Sequence, residues 1–379
     1  MPKYELSLSP DYIPDWAEVE AIRELFQNAL DQETLDPKHK MSWSWNDDDK
    51  HTFIISSANS KLSRRSLLLG ESSKTKDEQT IGTFGEGYKL AFLVLTRMGY
   101  KVSVANYTGS AKEIWTPRIS KTKRYEGDIL VVDIDAPVFP KKNMFGALTF
   151  VIEGIKPETF AEIERSNLHI KQPTGQVLEA RQGRILDRRY YKGRIFVNGL
   201  YVTTIKGLEY GYDLKPKYLT IGRDRNLVSS FDIQWVTGQM WINVNKPGLV
   251  SGLIDAKAKD IEYVRSFAGK ESELAKTIWA NFVGKNGNRA VPVKDQAEYD
   301  LVKRNYKNLK PVIVPEQVRY ITSYFSGQTY ATLGTKREDK RAPHQVLEDF
   351  FKGARWALND IQVKDFKSII KKSRSWTYR

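Results

Sequence analysis

A chain of 379 residues with 40% hydrophobic and 12% aromatic content is long enough for two or three domains with packed interiors. Its 60 Lys and Arg against 46 Asp and Glu leave a formal charge of +14, which suits polyanionic partners, nucleic acid above all. The absence of cysteine excludes disulfide frameworks, thiolate zinc sites and cysteine nucleophiles, and fits a reducing cytoplasm.

No apolar run approaches the roughly 20 residues that cross a bilayer, so no membrane partner is expected. The start Met1-Pro2-Lys3-Tyr4-Glu5 lacks the charged-then-apolar layout of a signal peptide. The first predicted helix covers residues 16–32. Val19, Ile22, Leu25, Phe26 and Ala29 make its apolar stripe, while Glu24, Asn28 and Asp31 stand at i, i+4 and i+7 on the other face. In isolation such a face is usually solvated surface. Residues 51–56 predict a strand, and residues 62–80 a loop around a short helix, carrying Gly70, Ser72, Ser73 and Lys74. Gly82-Thr83-Phe84-Gly85-Glu86-Gly87-Tyr88-Lys89 then opens a second helix that runs to Arg97, apolar at Leu90, Ala91, Leu93 and Val94. Strands follow over 101–107, 113–115, 128–134 and 147–153. The order predicts an α+β sandwich, with helices on one side of a mixed sheet, for a first domain ending near residue 155.

Gly154 to Pro157 mark a break before a second α/β domain over 156–250. It holds a helix over 158–170, a hairpin over 194–202 turning at Asn198-Gly199, and Gly222-Arg223-Asp224-Arg225-Asn226 leading into a helix over 227–241. Residues 251–379 form a third region. A lysine-rich helical segment spans 255–284, a β-α-β-α unit begins at 289, a polar stretch covers 326–343, and a final helix pair ends in a basic tail with interleaved aromatics. A basic helix end also complements its own dipole, so the tail has a purely structural reading as well.

A carboxylate and a carboxamide on one helix stripe can hold a hydrated magnesium and activate water, and a glycine loop opening a helix can wrap phosphates. Glu24-x-x-x-Asn28-x-x-Asp31, then a variable segment, then Gly82-x-x-Gly85-x-Gly87 at a helix start resemble the GHKL superfamily: gyrase B, the large heat-shock chaperones, histidine kinases and the MutL proteins, which share the Bergerat ATP-binding fold. The likeness covers residues 16–155. It implies ATP and Mg2+ as cofactors, with Glu24 as the general base that orients water and Asn28 as the magnesium ligand. It also implies Asp31 beside the nucleotide, and Gly82, Gly85 and Gly87 closing backbone N–H groups on the phosphates. Lys74 and Lys89 are candidate charges for the same phosphates.

One departure falls on the base-reading half. The family carries Asp-Asn-Gly-x-Gly after the first strand, whereas this chain reads Ser56-Ser57-Ala58-Asn59-Ser60-Lys61-Leu62. Ser57 or Asn59 is left to contact the base, without the charge-assisted hydrogen bond an aspartate supplies. In the second domain, Phe196 to Val202, Arg223 to Asn226 and Ile242-Asn-Val-Asn-Lys246-Pro resemble the transducer domain of the MutL and topoisomerase branches. That likeness implies Lys246 as a lysine reaching the terminal phosphate. The implied function is an ATP-dependent, slowly hydrolysing conformational switch acting on or with nucleic acid, DNA favoured, with a nucleotide-dependent homodimer. The reading from another class is a non-hydrolysing scaffold that binds a protein partner and keeps the fold with a degenerate pocket.

Overall fold

The computed structural model describes residues 2–68, 86–107, 111–136, 147–219, 230–266, 268–269, 272–326, 343–355 and 358–374. The chain divides into two compact units, Met1–Phe267 and Ala268–Arg379.

The first unit begins with a seven-stranded sheet of order β1-β6-β5-β4-β7-β3-β2. Its strands are β1 Lys3–Glu5, β2 Met41–Asn46, β3 Thr52–Ala58, β4 Lys101–Tyr107, β5 Lys112–Thr122, β6 Gly127–Ile134 and β7 Ala147–Glu153. Every neighbouring pair is antiparallel, so the sheet is not the mixed one that the element order suggests. Helices α1 (Glu18–Leu35), α2 (Gly87–Arg97) and α3 (Pro157–Arg165) pack with it in the expected α+β sandwich. Alternation sets the register: Phe53, Ile55 and Ser57 of β3 are buried, while Thr52, Ile54, Ser56 and Ala58 are half-buried. Phe26 of α1 meets Phe53, and Phe160 of α3 stacks on Trp45 of β2 at 4.3 Å between centroids, closing one aromatic cluster beneath the helices.

The two long helices differ in how they are buried. α2 is apolar along Ala91 to Leu95, which are wholly buried, and buries one charged residue, Lys89, near its start. α1 buries Ala21, Ile22, Leu25 and Phe26 as predicted, and it also buries Arg23, Glu24, Gln27 and Asp31. Its polar stripe is therefore not a solvated face. At its start, Glu20 accepts the Ala17 N–H at 3.0 Å. Arg97, in the last turn of α2, donates to the carbonyls of Pro10, Tyr12, Ile13, Pro14 and Trp16, tying the segment that precedes α1 to the end of α2.

A second sheet of five strands follows in the same unit, in the order β11-β10-β12-β9-β8. It comprises β8 Val177–Ala180, β9 Gly183–Leu186, β10 Arg194–Val197, β11 Leu200–Thr204 and β12 Gly211–Leu214, with β10 and β12 parallel. The hairpin turns at Asn198 (φ 48°) and Gly199 (φ 78°), the positive-φ pair that the Asn-Gly dipeptide predicts. α3 ends at Arg165, short of the expected 170. Residues 166–168 instead join β11, through Ser166 O to Tyr201 N, an isolated bridge from Asn167 to Leu200, and Leu168 N to Gly199 O. A short helix α4 (Arg188–Tyr191) joins β9 to β10. Helices α5 (Ser230–Val244) and α6 (Pro247–Asp255) complete this part, and buried Asp260 accepts from Glu209 N, Tyr210 N and Tyr212 Oη.

In the second unit, α7 (Glu273–Asn286) starts at Ser272, whose side chain accepts Ala275 N, so the helical stretch predicted from 255 is interrupted before this cap. β13 (Ala290–Val293), α8 (Gln296–Asn305), β14 (Lys310–Ile313) and α9 (Glu316–Ser326) give the predicted β-α-β-α unit, with the two strands parallel. α10 (Pro343–Ala354) and α11 (Asp360–Ser373) form the final pair. Phe366 stacks on Phe350 and Phe351 between them, while Lys364, Lys367, Lys371 and Lys372 are exposed. No helix among the described residues is long and apolar enough to cross a membrane.

Candidate functional site

Two sequence signals separated by more than fifty residues meet in space. Gly87, the first residue of α2, lies directly against the polar stripe of α1. A Cβ built at Gly87 would stand 2.6 Å from Glu24 Oε2 and 3.2 Å from Asn28 Nδ2, closer than carbon can approach either atom without displacing it. A side chain at this position would therefore have to push the Glu24 carboxylate aside.

The local chemistry follows from helix geometry. Asn28 Nδ2 donates to the carbonyl of Glu24 at 2.9 Å, one turn back. That fixes the carboxamide and leaves Oδ1, the atom able to ligate a hard cation, without a hydrogen bond among the described residues. Glu24 is 1% exposed and Asp31, seven residues along, is equally buried. Helix α2 has Glu86 at its N-cap, without a side-chain cap hydrogen bond, and no acidic residue in its first turn. A buried carboxylate, a carboxamide and a helix N-terminus thus meet at Gly87.

Lys89 has a different role from a phosphate contact in this geometry. Residues two apart on a helix do not face the same way, so Lys89 points away from α1. Its ammonium is wholly buried and donates to the carbonyls of Ser66 (2.9 Å) and Leu68 (2.6 Å). The neighbouring Tyr88 hydroxyl also donates to Ser66 O, at 2.7 Å, and burial pushes its pKa up to about 12. The start of α2 therefore clamps the short turn at Arg64–Leu67.

Of the positions left to read a base at the end of β3, Ser57 is buried and Asn59 is exposed, and both side chains are engaged within the fold. Ser57 Oγ pairs with Ser60 Oγ at 2.9 Å and donates to His39 O, and Ser60 Oγ also meets His39 Nδ1 at 3.1 Å. Asn59 holds φ 52°, and its Nδ2 donates to Lys38 O at 2.9 Å. Asn106 Nδ2 and Oδ1 bond both backbone groups of Leu62. These side chains fasten the chain leaving β3 to its surroundings.

Lys246 is exposed at the N-terminus of α6, and it makes no hydrogen bond or ion pair with α1 or α2 among the described residues. Gly82, Gly85, Lys74, Arg223 and Arg225 lie outside the described residues. Two participants have no motif of their own: Arg23, which sits beside Glu24, and Tyr201, whose carbonyl reaches Arg23 from β11. Arg23 stands among Glu20, Glu24 and Gln27 as well as the apolar residues of α1, so nothing in the sequence sets it apart. Nothing in the sequence marks a backbone carbonyl.

No family model matches the chain. It is 24% identical over 210 residues to an uncharacterized protein of Mycoplasma pneumoniae (strain ATCC 29342 / M129 / Subtype 1), which covers 54% of this chain and 80% of that protein. Among solved structures, it is similar to the ATPase region of Saccharomyces cerevisiae topoisomerase II at a TM-score of 0.37 and 10% identity, over 64% of this chain and 70% of that one.

Proposed function

We propose that the first sheet and its helices form a GHKL-type ATP site, and that the chain is a slowly hydrolysing, ATP-dependent conformational switch acting on or with nucleic acid. The observation that carries the reading is the contact of Gly87 with both Glu24 and Asn28. It brings Gly87, the last glycine of the motif, against the carboxylate and carboxamide that the reading assigns to phosphate chemistry.

The residues fit the groups this function needs. Asn28 Oδ1 would be a protein ligand to Mg2+, consistent with an ion that keeps most of its water. The metal, when bound, neutralises charge on the phosphates. Glu24 accepts the proton of the attacking water as its oxygen bonds to the terminal phosphorus and the bond to the bridging oxygen breaks, releasing ADP and phosphate. Gly87 leaves room for the carboxylate and offers the N-terminal end of α2 to the phosphates. The Ser57–Ser60–His39 network supplies no carboxylate to the base, so discrimination between ATP and GTP is expected to be weak. Support for a nucleic-acid partner is the +14 charge and the exposed lysines of α11, and binding of that kind falls steeply with salt. Nucleotide-dependent dimerisation belongs to the same reading.

Turnover and nucleotide binding by wild type and Glu24→Ala test it: the variant keeps binding and loses hydrolysis. Equal turnover in the two proteins removes Glu24 as the base. The internally satisfied base side favours one second reading, a non-hydrolysing scaffold for a protein partner. Calorimetry separates them, because a scaffold gives no heat with millimolar ATP and Mg2+.

A further inference from the structure

The positive charge is not spread evenly along the chain. The second unit, Ala268–Arg379, holds 22 Lys and Arg against 12 Asp and Glu, so it carries +10 of the formal +14. The first unit, more than twice as long, carries the remaining +4. Such asymmetry within one chain points to a polyanion met by the smaller unit.

Helix α11 gathers part of that charge on one side. Val363 and Ile370 are buried, and Phe366 stacks on Phe350 and Phe351 of α10, so its apolar side is already spent. Lys364, Lys367 and Lys371 recur at i, i+3 and i+7, which places them in one row about 10 Å long on the helix surface. All three are exposed, and none makes an ion pair or hydrogen bond among the described residues. Arg374 stands at the next step of the row and is held by Glu348 at 3.5 Å. The helix dipole accounts for Lys371 and Lys372, which sit in the last turn. It does not account for Lys364 and Lys367 in the body of the helix.

We propose that this row is a contact surface for the phosphate backbone of duplex nucleic acid, binding it without reading sequence. A DNA duplex carries a charge about every 1.7 Å of its axis, so a row of this length spans several phosphates. Phe366 is the one aromatic residue of α11 and is engaged with α10, so no ring of this helix stands in the row to stack an unpaired base. The exposed Ile361 and Ile369 are more than two turns apart and form no continuous apolar face of the kind that seats a basic helix in a lipid surface. The inference rests on the nucleic-acid part of the function proposed above and is independent of turnover.

Fluorescence anisotropy of the full chain with a short, labelled, mixed-sequence DNA duplex, repeated over a range of salt without nucleotide, tests the assignment. Lys364→Gln, Lys367→Gln and Lys371→Gln combined keep helix propensity and lower the slope of log affinity against log salt by about three, close to one per phosphate contact. Arg at the same three positions keeps the slope, because the contact needs charge alone. Lys121→Gln, Lys123→Gln and Lys206→Gln combined remove equal charge from exposed positions of the first unit and lower the slope by less than about one. The same titration with the matching RNA duplex identifies the source of the phosphates, since the row serves whichever duplex shows the loss. An equal fall in the two Gln variants, or tighter binding of a single strand of the same length, overturns the row. An unchanged slope in the α11 variant overturns it too, while wild-type binding then preserves the nucleic-acid reading. Wild type that binds neither duplex at low salt, or binds only phosphatidylserine vesicles, removes both.

Discussion

The two ends of the first domain's candidate pocket are built in opposite ways. At the α2 end, the half-buried Asn28 keeps Oδ1 unbonded among the described residues, the buried Glu24 lies against a glycine, and the N-cap Glu86 makes no side-chain cap hydrogen bond. At the β3 end, Ser57, Ser60, Asn59 and Asn106 spend their polar atoms on one another or on nearby backbone. A polar group satisfied inside the fold has little free energy left for a ligand, because binding must first break what it already has. The contrast teaches that burial alone does not mark a site. What marks it is unspent hydrogen-bonding capacity, as at Asn28 Oδ1, beside a buried carboxylate.

The sharpest way to break this comparison is to fill the space at Gly87. In Gly87→Ala the new Cβ falls 2.6 Å from Glu24 Oε2, so the carboxylate must move. A displacement of about an ångström in a catalytic group costs on the order of a hundredfold in rate. Steady-state turnover is expected to fall by about that factor while the fold, followed by circular dichroism, is kept. Turnover within about threefold of wild type would separate Gly87 from the chemistry.

Lys89 provides the next largest effect, and of a different kind. Lys89→Met retains the buried stem and removes the donor shared by the Ser66 and Leu68 carbonyls. The Ser66 carbonyl keeps the Tyr88 hydroxyl and the Leu68 carbonyl loses its Lys89 donor, so stability is expected to fall by about 1 kcal/mol, read as a reduced urea midpoint. A direct phosphate contact would instead leave stability intact and weaken nucleotide binding. Ser57→Ala follows, with a loss of about 1 kcal/mol, because it takes one partner from Ser60 and from the His39 carbonyl. Nucleotide affinity is expected to stay unchanged in that variant.

The parts of the fold legible in sequence are those whose signal is local. α2 follows from its apolar run, the β10–β11 hairpin from Asn198-Gly199, and the β-α-β-α unit from alternating short elements. β1 has three residues, too few for any period, and β2 hides its alternation of Met41, Trp43 and Trp45 in only six. Strand direction was illegible because it depends on pairing between distant segments: β7 inserts between β3 and β4 and makes the whole sheet antiparallel. The site divides along the same line. Glu24 and Asn28 share a helix face by spacing, so their juxtaposition could be read. That Lys89 turns to Ser66 and Leu68, and that Arg23 meets a carbonyl some 180 residues away, are tertiary facts.

Asn59 carries the smallest expected effect and the cleanest separation of the two ends. Its left-handed backbone is one that Asn and Gly both adopt with little strain, so Asn59→Gly removes the amide while preserving the turn. The amide is engaged with Lys38 O in a segment exposed to water, where a replacement hydrogen bond is available. The expected change in nucleotide affinity is therefore less than about twofold, with stability lowered by about 0.5–1.5 kcal/mol. Titration calorimetry with ATP and with GTP, on wild type and variant, decides the matter. A tenfold loss confined to one nucleotide would mean that Asn59 leaves Lys38 to read a base, and the two ends would then be alike in function though not in resting geometry. Equal, small losses for both nucleotides keep the distinction, with affinity resting on the phosphate end alone.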